Sequence, residues 1–144
     1  MSLTGAQWSQ LRLQLDHIAA HFVLSNMYKL IALRATEWQA GRDVWVQLDY
    51  YLRRITDAEC DVTALLAETY DEAKSAKVVA KLEEAFTAYE ELDSYLRGLI
   101  EDDSCQEEAG IPVNVIKEVH DLLEEWYDIM VQGVDNLPIP TPGS

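Results

Sequence analysis

Apolar residues recur at helical spacing over most of the chain, and nowhere do they alternate as a strand would. Thr4 followed by Gln7 forms a capping box, after which Trp8, Leu11, Leu15, Ile18 and Phe22 step by threes and fours. Beyond Phe22 the apolar side chains spread through Val23, Leu24, Met27, Leu30 and Ile31, the composition of a helix contacted on several sides. The pattern predicts a first helix over 5–39, broken at Ala40-Gly41. A second begins near Asp43, with Val44, Leu48, Tyr51, Leu52 and Ile55 inward. Thr56 and Glu59 repeat the capping-box spacing, which predicts a tight corner and a third helix from 57 burying Val62, Leu65 and Leu66. Residues 71–77 are polar and fit either a bend or a continued helix.

The fourth helix is the clearest. Val78, Leu82, Ala85, Tyr89, Leu92, Leu96 and Leu99 alternate four- and three-residue steps, a seam of the bundle type. Residues 102–110 read as a loop, and Pro112 suits the first turn of a fifth helix. Its seam is Val115, Val119, Leu122, Trp126 and Ile129 or Met130, with Gly133 near its end. Three prolines within 136–144 predict an extended tail. The chain therefore reads as an all-α protein, an antiparallel bundle of four to five helices forming one domain over 1–135.

With 144 residues and 49% apolar composition, such a domain can bury about 70% of its unfolded surface without staples. Cys60 and Cys105 are far apart and belong to no CxxC or Cys/His cluster, so neither a disulfide framework nor a structural zinc site is indicated. No apolar run approaches the roughly 20 residues of a membrane span, and a cytoplasmic, reducing location is the expectation.

Charge changes the picture more. Residues 57–128 hold 21 of the 26 Asp and Glu against five Lys and Arg, a balance of −16, whereas residues 1–56 balance at +2. Mapped at 100° per residue, Glu83, Glu90 and Glu101 fall on one outer stripe of the fourth helix, and Glu84, Glu91 and Asp102 on a second. On the fifth helix Asp121, Glu124, Glu125 and Asp128, with Glu118, lie opposite Val119, Leu122 and Trp126. Few lysines follow these acids at i+4, so repulsion along the helices is little offset. A solvated face that keeps the protein soluble is one reading. A surface for a positively charged partner is the other.

On the second helix Val46, Tyr50, Arg53 and Arg54 lie away from the inner face and form a secondary interface unless another helix covers them. A homo-oligomer follows if these arginines meet the acidic region of a second copy.

Candidate chemistry is sparse. His17 and His21 stand i, i+4 and share a helical face, a spacing that suits two metal ligands, which His120 or a glutamate would complete. No paired Glu-x-x-His motif accompanies them, so no metal or other cofactor is expected. Arg12 and His17 form an R-x4-H arrangement that resembles the signature of HEPN ribonucleases, with Leu13 in place of a polar residue after the arginine. That resemblance covers these two residues and implies that Arg12 would hold phosphate while His17 assists proton transfer. Phosphate-binding glycine loops and nucleophile elbows are absent from the sequence, and the charge disfavours direct nucleic-acid binding.

The expected function is thus a non-enzymatic one. The chain reads as an acidic helical binding protein that sequesters or inhibits a basic protein, such as a nuclease or nucleic-acid-binding enzyme, in the manner of immunity, anti-defence or DNA-mimic proteins. A metal-binding bundle or HEPN-like ribonuclease using Arg12, His17 and His21, and an oligomeric assembly protein, are the alternatives.

Overall fold

In a computed structural model of the chain, the described residues are 3–16, 19–37, 42–101 and 111–133. They form five helices: α1 (Gly5–Asp16), α2 (Ala19–Glu37), α3 (Arg42–Leu66), α4 (Glu72–Glu101) and α5 (Val113–Gly133). No strand occurs among the described residues. Each of α2 to α5 packs on two neighbours in the cyclic order α2–α3–α4–α5, and α1 lies against α2, α3 and α5. Residue pairs fix the directions. Arg54 of α3 meets Glu91 of α4 while Asp61 meets Lys81, so α3 and α4 are antiparallel. Phe86 stacks near Trp126 while Asp93 meets His120, so α4 and α5 are antiparallel too. The protein is an all-α antiparallel bundle, held by a core that includes Leu48, Leu52, Leu82, Leu92, Leu96 and Trp126.

The capping box forms as its spacing requires. The Thr4 N–H donates to Gln7 Oε1 at 2.8 Å, and the Gln7 N–H donates to Thr4 Oγ1 at 3.1 Å. The predicted first helix appears as α1 and α2, with residues 17–18 outside the description. Trp8 and Leu11 are buried, but Phe22 is 62% exposed. The inward face of α2 runs through Ala20, Val23, Leu24, Met27 and Ile31, and Phe22 falls off that arc.

The predicted corner at Thr56 does not exist. α3 is one helix of 25 residues. Its inward positions continue through Leu52, Ile55, Ala58, Glu59, Val62 and Leu66 without a change of phase, so burial overrides the local cap signal. The Thr56 hydroxyl donates back to the Leu52 carbonyl at 2.8 Å, and Glu59 points into the core instead of capping. Of the polar stretch at 71–77, which fitted a bend or a continued helix, residues 72–77 open the separate helix α4 and Asp71 lies just before it. Asp71 caps α4 by accepting from the Ala73 N–H at 2.7 Å and, at 3.4 Å, from the Lys74 N–H.

The turn between α3 and α4 is also where the amino-terminal segment is fastened. The Leu3 N–H donates to the buried Ser75 Oγ at 3.1 Å, and the Tyr70 hydroxyl donates to the Leu3 carbonyl at 2.8 Å. Trp8 meets Tyr70 edge to face, ring centres 5.6 Å apart. On α5 the buried seam is Val115, Ile116, Val119, Leu123, Trp126 and Met130. Leu122, expected inward, is only half-buried, because α5 packs on both α2 and α4 and its inner arc is rotated toward Leu123. The predicted loop at 102–110 and tail at 136–144 lie outside the described residues.

Candidate interaction surface on helices α4 and α5

α4 buries Val78, Leu82, Ala85, Tyr89, Leu92, Leu96 and Leu99 as its seam predicts, along with Val79, Phe86 and Ala88. The wide buried arc follows from contact with α3 on one flank and α5 on the other. What remains outside carries the acids. Glu84 and Glu91 lie on the α3 flank. Glu91 pairs with the Arg54 guanidinium of α3, and Glu84 lies 3.3 Å from Lys81 Nζ on its own helix. Glu83 and Glu90 are exposed, as is Glu101 at the end of α4.

On α5 the acids follow a similar gradation. Glu118 faces α2, where Arg34 grips it with two nitrogens: Nε donates to Oε2 and Nη2 to Oε1, each at 3.1 Å. Glu124 faces α4. Between them Asp121, Glu125 and Asp128 are exposed. Among the described residues no ion pair involves Glu83, Glu90, Asp121, Glu125 or Asp128. Of the nine acids singled out by the sequence, Glu84, Glu91 and Glu124 are therefore partly neutralised, while these five and the exposed Glu101 at the end of α4 have no ion pair among the described residues.

Between these faces α4 and α5 share a seam. Tyr89 of α4 stacks on Tyr127 of α5, ring centres 4.6 Å apart and planes within 11°. Burial, reinforced by the carboxylates of Asp128 and Glu90, pushes the Tyr127 hydroxyl pKa up. The Tyr89 hydroxyl is raised further, chiefly by burial and then by Asp93.

Beside this pair lies a cluster the sequence reading did not assemble. His120 Nε2 is 2.7 Å from Asp93 Oδ1 and 3.6 Å from Glu124 Oε1. Arg97 Nε donates to Asp93 Oδ2 at 2.9 Å, and its Nη2 lies 3.5 Å from Glu124 Oε1. Asp93 lies outside the acidic stripes that periodicity maps on α4. Its signal was present as two i, i+4 pairs, Asp93/Arg97 and His120/Glu124, which antiparallel packing of α4 on α5 brings together.

Comparison with protein-family models, curated proteins and solved structures finds no match.

The remaining candidates are placed as follows. Val46 and Tyr50 are 58% and 55% exposed, so no described helix covers them. Arg53 is occupied by Asp49 of its own helix at 2.8 Å, and Arg54 by Glu91 and the face of Tyr50, 5.6 Å away. Arg12 is exposed on α1 and His21 on α2, while His17 lies outside the described residues. Cys60 is exposed, and partial desolvation together with Glu59, Asp57 and Asp61 raises its thiol pKa.

Glu59 stands apart from this surface. It is 3% exposed, and burial raises its pKa from 4.5 to about 7. The Trp126 indole is near enough to offset part of that rise, yet neither Trp126 Nε1 nor Glu59 Oε2 has a partner at hydrogen-bond distance. No helix of the described residues is long and apolar enough to cross a membrane.

Proposed function

We propose that the protein is a binding protein that captures and blocks a basic protein partner on the outer face of α4 and α5. The partner class is a nuclease or another nucleic-acid-binding enzyme, whose cationic cleft the acidic face would occupy. The reading rests on one observation. Glu83, Glu90, Asp121, Glu125 and Asp128 are exposed and without ion pairs, whereas arginines from α2 and α3 neutralise the acids at the two margins. Arg97 and Lys117 are the basic residues near this face, α4's lysines being confined to 74–81. Uncompensated like charge on neighbouring turns costs folded-state stability, and a cationic partner relieves that cost while being steered toward it. Val46 and Tyr50 on α3 belong to a separate apolar patch and would serve a second contact.

The test is affinity capture of a host extract on immobilised protein at about 50 mM salt, where the Debye length exceeds 10 Å. Wild-type protein should retain basic nucleic-acid-binding proteins and release them as salt rises. The variant E83Q/E90Q/D121N/E125Q/D128N should retain far less at the same helicity. Equal retention by that variant would refute the assignment of the surface.

A further inference from the structure

We propose that Asp93, His120 and Glu124 form a three-ligand site for a divalent transition metal of the zinc class, bridging α4 and α5. Their ligand atoms, one imidazole nitrogen and two carboxylate oxygens, all lie within 4.8 Å of one another. Two carboxylates address the same nitrogen: Nε2 is 2.7 Å from Asp93 Oδ1 and 3.6 Å from Glu124 Oε1. A single N–H hydrogen serves Asp93 and leaves Glu124 without one from this ring. Three ligand atoms this close to one another are an arrangement that one metal ion can satisfy. With metal–ligand bonds of about 2.1 Å, tetrahedral ligand atoms stand about 3.4 Å apart, between the two observed separations.

The surroundings suit a site open at one coordination position. The side chains of His120 and Asp93 are 10% and 18% exposed, and that of Glu124 is 47% exposed. His120 and Glu124 are one turn apart on α5, so their spacing is fixed by the helix, and Asp93 comes from the facing helix. Arg97 holds Asp93 Oδ2, the oxygen the metal does not need, and so orients Oδ1 inward. Its contact with Glu124 is long, at 3.5 Å, and yields when the carboxylate turns to the metal. Two carboxylates and Arg97 leave the site with a net charge of −1, which attracts a divalent cation without the tightness of an all-anionic cage. Binding at Nε2 requires the neutral tautomer of His120 that carries its hydrogen on Nδ1, so the hydrogen leaves Nε2 for Nδ1 and the ring stays neutral. The site is separate from the five unpaired acids, and it does not depend on the partner-binding reading.

The test uses tag-free protein stripped with a chelator and titrated with Zn2+ by calorimetry and with Co2+ by visible absorption. One equivalent of Zn2+ should bind with a Kd of about 1–50 µM, and Co2+ should give the intense bands of four- or five-coordination rather than the faint ones of a hexa-aqua-like ion. Asp93→Asn and His120→Gln should each weaken Zn2+ binding at least about tenfold. The five-acid variant E83Q/E90Q/D121N/E125Q/D128N loses more charge but keeps the ligands, so its Kd should stay within about threefold of wild type. Absence of saturable binding below about 1 mM, or equal weakening by the ligand and five-acid variants, would overturn the site and leave diffuse cation attraction. Circular dichroism of each variant separates loss of ligands from loss of fold. Loss of metal binding with partner capture intact, or the reverse, tells the two proposals apart.

Discussion

Replacing Glu59 by glutamine should make the protein more stable at neutral pH and leave it little changed in mild acid. Glu59 sits in the core on α3, and burial raises its pKa from 4.5 to about 7. Between those values the folded chain binds more protons than the unfolded one, so stability falls as pH rises through that window and levels off above it. A shift of that size corresponds to about 3 kcal/mol at about 1.4 kcal/mol per pH unit. Glutamine keeps the shape of the side chain and removes the ionisation. Any packing or hydrogen-bonding cost of the amide beside Trp126 is nearly the same at every pH, so it cancels in the comparison between conditions. The assay is urea unfolding of wild type and Glu59→Gln at pH 5 and pH 8. The stability gap in favour of the variant should widen by about 2–3 kcal/mol between the two. Comparing the two proteins also removes the general repulsion of a chain with net charge −15. Parallel pH profiles would show that the carboxyl is hydrated or partnered and refute the argument from burial.

Other outcomes follow from the same structure. Leu96→Ala removes a fully buried side chain from the carboxyl-terminal half of the α4 seam and should cost about 2–5 kcal/mol in denaturant unfolding. Asp71→Ala deletes the cap of α4 and should cost about 1 kcal/mol, with faster amide exchange confined to the first turn. Ser75→Ala leaves the Leu3 N–H buried without an acceptor and should lower stability by about 1–3 kcal/mol, an effect that Ser75→Thr should largely avoid. Arg34→Met should free Glu118 from its two hydrogen bonds and add a carboxylate to the exposed face, raising the salt sensitivity of partner capture.

The parts of the fold legible in the sequence were those where one local signal had no rival. The seam of α4 from Val78 to Leu99 and the Thr4/Gln7 cap are of this kind. At Thr56 and Glu59 two signals competed. The spacing of a cap is local, whereas the benefit of continuing an inward face through Val62 to Leu66 depends on α4 lying alongside. Tertiary burial won, and it carried a carboxyl into the core. The choice of Leu123 over Leu122 has the same origin, since α5 has two neighbours and its inner arc bisects them. The exposure of the acids on α4 and α5 could be mapped from periodicity alone. Which of them met Arg34, Arg54 or Arg97 could not, because those partners come from other helices or from a register between helices. The meeting of Asp93 with His120 depends on the stagger of α4 against α5, a quantity no single-helix pattern contains.

The fastening of Leu3 to Tyr70 and Ser75 has a kinetic consequence. Its two hydrogen bonds join positions 67 and 72 residues apart. The α3–α4 hairpin, by contrast, closes across the few residues between Leu66 and Glu72. Loop-closure entropy favours the short circuit first, so the hairpin with its Asp71 cap is built before the amino-terminal segment has anything to latch onto. Mutations at the latch should therefore accelerate unfolding while leaving the refolding rate nearly untouched, the behaviour of a clasp closed after the box is full.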